Sequence, residues 1–235
     1  MTGRQDPRDG LRRLPTLAAA RVILGWRLVR DDSTGFRSGR IVEVEAYVGE
    51  TDRASHARFG RTARNAVMYG PPGRAYVYLV YGMHDCLNIV TGPEGTPEAL
   101  LVRAVEPLEG IELMRASRRQ RTEARRRGPP PDIDRSAAPF DAARIAAGPG
   151  LVCAAYGIDR DLTGHDLLAA TSAVRLEPPP DAEPRPEVIA GPRVGIRYAG
   201  EPWTTAPWRF AIAGNPSVSR PAVRPAARAA STSRA

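Results

Sequence analysis

Between Glu43 and Asn88 the chain gathers carboxylates, imidazoles and phenols in one run: Glu43, Glu45, Tyr47, His56, Tyr69, Tyr76, Tyr78, Tyr81, His84 and Asn88. Five of the seven Tyr and two of the three His fall there, although only 6% of the chain is aromatic, so the clustering is a local feature and not a compositional one. Electron-rich rings beside a carboxylate suit a flat, electron-poor ligand. The sequence has no G-x-S-x-G elbow, no G-x-G-x-x-G phosphate loop and no H-E-x-x-H zinc helix. All 34 basic residues are Arg, which removes Schiff-base chemistry, a pyridoxal phosphate anchor and a Lys-dependent phosphate loop. Three scattered His and two Cys, Cys86 and Cys153, form neither a metal-ligand pattern nor a disulfide framework. Carboxylate chemistry assisted by aromatics and Arg remains. It fits hydrolysis of an acetal-like C–N or C–O bond through an oxocarbenium-like transition state.

The elements that must hold these residues can be read from periodicity. Residues 11–30 suit a short helix leading through Gly25 into a strand from Trp26 to Val29. Arg40 to Val48 alternates strictly, which predicts a strand with Ile41, Glu43, Glu45 and Tyr47 on one face and Val42, Val44, Ala46 and Val48 on the other. After the turn Gly70-Pro-Pro-Gly73, Arg74 to Tyr81 reads as a strand with Tyr76 and Tyr78 sharing a face. Gly82 to Asp85 then reverses the chain into Cys86 to Val90, a hairpin with Tyr81 near its tip. Leu100 to Val105, carrying Arg103, is a further strand, Gly110 to Arg127 an Arg-rich helix, and Gly128 to Pro139 a Pro-rich loop. Helical spacing resumes over Asp141 to Tyr156, and Ala173 to Leu176 and Arg193 to Tyr198 are strand candidates. The last segment, from Pro216, has four Arg and no acid, which predicts a disordered tail.

At 235 residues and 42% hydrophobic, the chain is long enough to bury about 70% of its unfolded surface as one domain. A net charge of +8 favours a polyanionic partner, most commonly nucleic acid. No stretch reaches the ~18 apolar residues of a membrane span, and the polar start lacks an apolar signal core. A reduced, cytoplasmic setting is the expectation.

Several blocks carry a family resemblance: Arg40-Ile-Val-Glu-Val-Glu45-Ala-Tyr47, Ser55-His56, Arg64-Asn65, Ala75-Tyr-Val-Tyr78-Leu-Val-Tyr81-Gly-Met83 and Cys86-Leu-Asn88. The series continues with Leu101-Val-Arg103-Ala-Val-Glu-Pro-Leu-Glu-Gly110, Gly148-Pro-Gly150, Arg193-Val-Gly-Ile196 and Asn215-Pro-Ser-Val-Ser219. Together they resemble the alkyladenine (3-methyladenine) DNA glycosylases, in order from about Leu17 to Arg220. The resemblance implies an α+β fold: one domain with a mixed, mainly antiparallel sheet, roll-like or an open barrel, surrounded by helices and carrying a protruding β-hairpin. Its limits are expected at residues 14–216, between a flexible 1–13 and a disordered 217–235.

The resemblance further implies a monofunctional hydrolase that flips a damaged purine from double-stranded DNA and cleaves its N-glycosidic bond in base excision repair. No cofactor is implied, and a monomer associated with the nucleoid is expected. By position, Glu45 matches the general base and Arg103 the residue that helps hold the attacking water. Tyr47, His56 and Tyr78 match the walls of the base pocket, Asn88 the residue that crowds the exocyclic amine of guanine, and Tyr76 a supporting member. Tyr81 matches the wedge that fills the gap left by the flipped nucleotide. Glu43, His84 and His165 have no matched role and read as scaffold.

Three departures from the family pattern stand out. Asp85 sits where a bulky residue is common, and a carboxylate at the hairpin tip would repel phosphates. Leu151 replaces a common Lys after Gly148-Pro-Gly150, and Ala57-Arg58-Phe59 after His56 is a variable stretch. The residues alone leave two other readings open. One is a module that binds damaged DNA without cutting it, the other a hydrolase of free nucleosides.

Overall fold

The fold is described from a computed structural model, which covers residues 6–124, 141–220 and 223. The loop expected over Gly128 to Pro139 lies outside the described residues. Eight strands form one antiparallel sheet: β1 (Arg27–Asp32), β2 (Gly35–Val48), β3 (Ala75–Val80), β4 (His84–Thr91), β5 (Glu98–Glu109), β6 (Val174–Glu177), β7 (Val188–Gly191) and β8 (Arg209–Ile212). Their order is β3-β4-β5-β2-β1-β6, with β8 joining β2 and β7 joining β8. Among the described residues four helices accompany the sheet: α1 (Pro7–Arg12), α2 (Thr16–Val22), α3 (Ile111–Ala124) and α4 (Pro149–Tyr156). This is the expected α+β domain with an open sheet.

The long strand β2 organises the rest. One edge runs along β5, while the other is shared by β1 over its first half and β8 at Glu43–Glu45. Close approach demands Gly39, since a Cβ there would lie 2.5 Å from the Glu106 carbonyl oxygen and from the Tyr156 hydroxyl.

Strict alternation along β2 is the expectation that fails. Between Ile41 and Glu43 the register gains a residue on β2, because Ile41 pairs with Val105 and Glu43 with Ala104. One step later Val44 pairs with Val102, which leaves Arg103 as the extra residue on β5. Two opposed bulges therefore sit side by side. A bulge moves the following side chains to the other face. Ile41 consequently joins the main core with Val44 and Ala46 rather than the face of Glu43, Glu45 and Tyr47.

The core lies between the sheet and the helices. Leu28, Ile41, Val44, Leu100 and Val102 pack with Met114 of α3, Val152 and Tyr156 of α4, and Ala19 and Ala20 of α2. β3 does alternate as expected, with Ala75 and Val77 in this core and Tyr76 in a separate small cluster with Met68, Val90 and Ala99. Burying a side chain of the Leu, Val or Ile class contributes about 1.5–3 kcal/mol. The apolar face thus fixes β3 so that its tyrosines must face away.

Four segments differ from the sequence-based expectations. Residues 7–12, within the stretch expected to be flexible, form α1, which buries Leu11 and pairs Arg12 with Asp166 at 2.9 Å. The helix expected over Asp141 to Tyr156 is interrupted. Ala147 makes a β-bridge to Ala104, Gly148 takes φ +157°, and only from Pro149 does α4 run. Arg193 to Tyr198 is a loop with a short 3-10 turn, not a strand; Pro192 lacks an N–H, Gly195 has φ +78°, and the Val194 N–H is used elsewhere. Finally, residues 217–220 do not belong to a loose tail, since Ser217 and Ser219 are buried.

Asp85 is also corrected. It lies within β4, opposite Leu79, and the reversal itself is Tyr81-Gly82-Met83 between Val80 and His84. Its side chain is buried on the helix side of the sheet, where Arg121 of α3 donates to it at 3.2 Å and Arg160 stands at 3.9 Å. The carboxylate ties the turn end of the hairpin to α3 and is not exposed at the turn. Asp85→Asn is therefore expected to lower stability in urea by about 2 kcal/mol, the order of a weakened buried pair. DNA affinity is expected to change by less than about twofold, because no surface charge is altered. A gain in affinity larger than that would return Asp85 to the DNA surface.

Candidate active site

Tyr47, Ala54, His56, Met68, Tyr76, Tyr78, Asn88, Ala99 and Tyr198 line a pocket on the face of the sheet opposite the main core. All the residues expected as pocket walls are there. Cross-strand pairing explains part of the set: Tyr76 stands opposite Asn88 and Tyr78 opposite Cys86 in the β3-β4 hairpin. Asn88 is fixed by two bonds, its Nδ2 donating to the carbonyls of Tyr76 at 3.0 Å and Cys86 at 3.3 Å. His56 enters from a 3-10 turn, His56–Phe59, capped by Ser55. Its ring meets Tyr78 edge-on with centroids 4.3 Å apart.

His56 Nδ1 is 2.9 Å from the Tyr76 hydroxyl. Burial, then the positive charges of Arg64 and Arg58, push the His56 pKa down to about 4. Burial pushes the Tyr76 phenol up to about 12, against a smaller opposing effect of the Arg64 charge. A neutral His56 with a depressed pKa implies that the unfolded chain binds more protons between about pH 4 and 6.5. Its contribution to stability is present in full above about pH 6.5 and is lost as pH falls through about 4. An imidazole NMR titration of the three His is expected to leave His56 neutral at pH 5.5, and a midpoint near 6.5 would contradict the assignment.

Glu45 and Arg103 do not line the pocket. They lie behind its Tyr47 wall. Glu45 is wholly buried; its Oε1 accepts the Val194 N–H at 2.8 Å and faces Arg103 Nη1 at 3.2 Å, and its Oε2 accepts the Tyr47 hydroxyl at 3.0 Å. Tyr47 is pushed well above the ordinary phenol range by burial and then by the charge of Glu45, so it stays a donor. Burial works against the Arg103 charge, but Glu45 and Glu43 outweigh it and raise its pKa.

Glu43, expected to be scaffold or ion-paired, is the centre of a second buried set. Arg103 Nε and Arg209 Nε donate to its Oε1 at 2.8 and 2.6 Å, and Ser219 gives its hydroxyl to Oε1 at 2.9 Å and its N–H to Oε2 at 2.7 Å. Arg103 thus bridges the two carboxylates and also donates to the Ser219 hydroxyl at 3.1 Å. Two carboxylates and two guanidiniums balance in charge, as burial requires.

Sequence reasoning passed over Arg209, Ser219, Asp52, Val194 and Tyr198 as site members. Arg193 is wholly buried, bonds both oxygens of Asp52 and stacks 4.7 Å from the Tyr47 ring centroid. Ser219 and Arg193 lay within quoted motif blocks, so a signal existed without a role. Arg209 and Asp52 carried none. Tyr81 stands apart from the pocket at the hairpin turn, 87% exposed and with φ +50°. A non-glycine residue held in that region marks strain of the kind found at functional sites.

A family model described as methylpurine-DNA glycosylase matches residues 10–216. Similar proteins carry the name "Putative 3-methyladenine DNA glycosylase". One from Anaeromyxobacter dehalogenans (strain 2CP-C) is 46% identical over 208 residues, covering 88% of this chain and 83% of that protein. One from Methanocella arvoryzae is 45% identical over 214 residues, covering 91% and 95%. A third, from Bacillus mycoides, is 42% identical over 207 residues, covering 87% and 95%.

Proposed function

Because the chain belongs to the methylpurine-DNA glycosylase family, whose members are hydrolases of N-glycosyl bonds, we propose that it excises alkylated or deaminated purines from duplex DNA by a water that Glu45 activates. The observation that carries this reading is a buried carboxylate one hydroxyl away from an aromatic pocket. Tyr47 belongs to both, lining the pocket and donating to Glu45.

The free lone pairs of Glu45 favour one oxygen for this role. Oε1 already faces two donors, Val194 N–H and Arg103 Nη1, whereas Oε2 takes only the Tyr47 hydroxyl. An sp² oxygen has two acceptor positions, so Oε2 is the base. Arg103 spends Nε on Glu43 and one hydrogen on each of Glu45 and Ser219. One N–H on each terminal nitrogen is left to hold the water.

The extruded purine would sit between Tyr47, His56 and Tyr78, whose ring faces favour a cation over a neutral base. Alkylation at N3 or N7 gives the base positive charge and makes it a good leaving group. Little acid assistance is then needed, and departure of the base leaves an oxocarbenium-like sugar that the water attacks at C1′. The anchored Asn88 amide cannot swing aside for the exocyclic amine of guanine. Tyr81, exposed on its turn, would fill the space in the stack.

The test is direct. Duplex DNA containing one hypoxanthine or one methylated purine is incubated with the protein, and abasic sites are cleaved with alkali. Strand cleavage at the lesion is expected. Folded protein that yields none on a panel of charged and neutral lesions would overturn the proposal, and turnover of free nucleosides would replace it.

A further inference from the structure

Two large rings stand out as the most exposed on the described surface, Tyr81 at 87% and Phe59 at 81%. Tyr81 has a place in the reading above; Phe59 has none. Unlike a phenol or an indole, a Phe ring gains nothing polar from facing water. It is also held in place. The Arg58 guanidinium lies 4.5 Å from the Phe59 ring centroid and 5.2 Å from that of Tyr198, forming an aromatic–guanidinium–aromatic stack. Two bonds to neighbouring backbone anchor the stack: Arg58 Nη1 donates to the Ser55 carbonyl at 3.3 Å, and the Tyr198 hydroxyl to that of Ala54 at 3.2 Å. A ring fixed in advance loses little freedom on contact.

It stands one guanidinium away from a pocket residue. Tyr198 lines the pocket and is itself 63% exposed. Phe59 follows the pocket residue His56 by three positions as Tyr81 follows Tyr78, and His56 and Tyr78 meet at 4.3 Å. Phe59 does not line the pocket, so whatever it meets lies outside it. The segment that carries it has charge of one sign. From Arg53 to His84 the chain has five Arg and no acid. The acids at either end, Asp52 and Asp85, are buried in ion pairs with Arg193 and Arg121. A flat apolar face beside Arg58, on a segment that also carries Arg61 and Arg64, fits a base or deoxyribose next to phosphates better than it fits a protein surface.

We propose that Phe59, braced by Arg58 and Tyr198, is a second DNA contact outside the pocket, packing against a nucleotide beside the extruded one while Tyr81 occupies the vacated stack. This rests on the glycosylase reading for the extruded nucleotide, but its test does not depend on excision.

Binding is measured by fluorescence anisotropy on a duplex containing one tetrahydrofuran abasic analogue, which cannot be processed. Phe59→Ala is expected to raise Kd about tenfold, within the range of one base–aromatic stack. Phe59→Trp is expected to restore it, and Phe59→Leu to fall between. The salt dependence of Kd should not change slope, since no charge is removed. Melting temperatures should be unchanged, because the ring buries little. Kd for Phe59→Ala within twofold of the unsubstituted protein, or equal losses for Leu and Trp, would overturn the contact. Failure of the protein to excise any lesion while Phe59→Ala still weakens binding would sink the glycosylase reading alone.

Discussion

Glu45→Gln is expected to leave a folded protein that still binds damaged duplex and excises about 10² to 10⁴ times more slowly, the usual contribution of a positioned general base. The amide keeps the shape of the carboxylate. Its oxygen can still accept from the Val194 N–H and face Arg103, and its NH₂ can donate to the Tyr47 oxygen. What is lost is the basic lone pair on Oε2. The buried set of Glu43, Glu45, Arg103 and Arg209 also loses its charge balance, which costs stability but not more than a few kcal/mol. Single-turnover excision with enzyme in excess, run well below the melting temperature, separates the two effects. Excision within about tenfold of the unsubstituted protein would remove Glu45 from the role of base. Tight lesion binding together with no excision by either protein would favour a binding module.

The opposite pattern is expected at Glu43. Glu43→Ala leaves Arg103 Nε, Arg209 Nε and both donors of Ser219 without the carboxylate they share. Removing one partner of a buried ion pair costs about 3–5 kcal/mol, a large share of the 5–15 kcal/mol of a typical domain. For a domain of this size each kcal/mol moves the melting temperature by about 2–4 °C, so a fall of roughly 6–20 °C is expected. Glu43→Gln keeps the volume and should fall less. Arg103 is the link between stability and activity here, since without Glu43 it can turn away from Glu45. Glu43→Gln should therefore be slowed, but less than Glu45→Gln. If calorimetry finds Glu43→Gln as stable as the unsubstituted protein while its excision falls as far as that of Glu45→Gln, the two carboxylates have been assigned the wrong way round.

The contrast between these neighbours shows how far local pattern reaches. Both sit on one face of β2, and nothing in their spacing ranks one above the other. The ranking in sequence rested on a resemblance. In the structure it rests on what each carboxylate touches: Glu43 takes two guanidiniums and Ser219, whereas Glu45 takes the hydroxyl of the pocket residue Tyr47.

Period-two alternation placed Tyr76 and Tyr78 on one face correctly, because β3 is regular and its apolar face is buried in the core. The same rule misplaced Ile41, because adjacent bulges on β2 and β5 insert a residue that no local periodicity registers. Reading Gly82 to Asp85 as the reversal put Asp85 at a hairpin tip. The turn is in fact Tyr81-Gly82-Met83, and β4 carries the carboxylate to the helix side.

By itself, then, the sequence determined the chemistry available: a carboxylate and aromatic set without Lys, without a metal pattern, on strands that alternate, in a strongly basic chain. Only the tertiary structure decided which groups share that chemistry. Arg209 and Ser219 reach Glu43 across 166 and 176 residues, and Arg193 reaches Asp52 across 141. A buried charge must be paired, but any opposite charge or donor that the fold delivers will serve. Its partner is chosen by proximity in space, which periodicity along the chain cannot express.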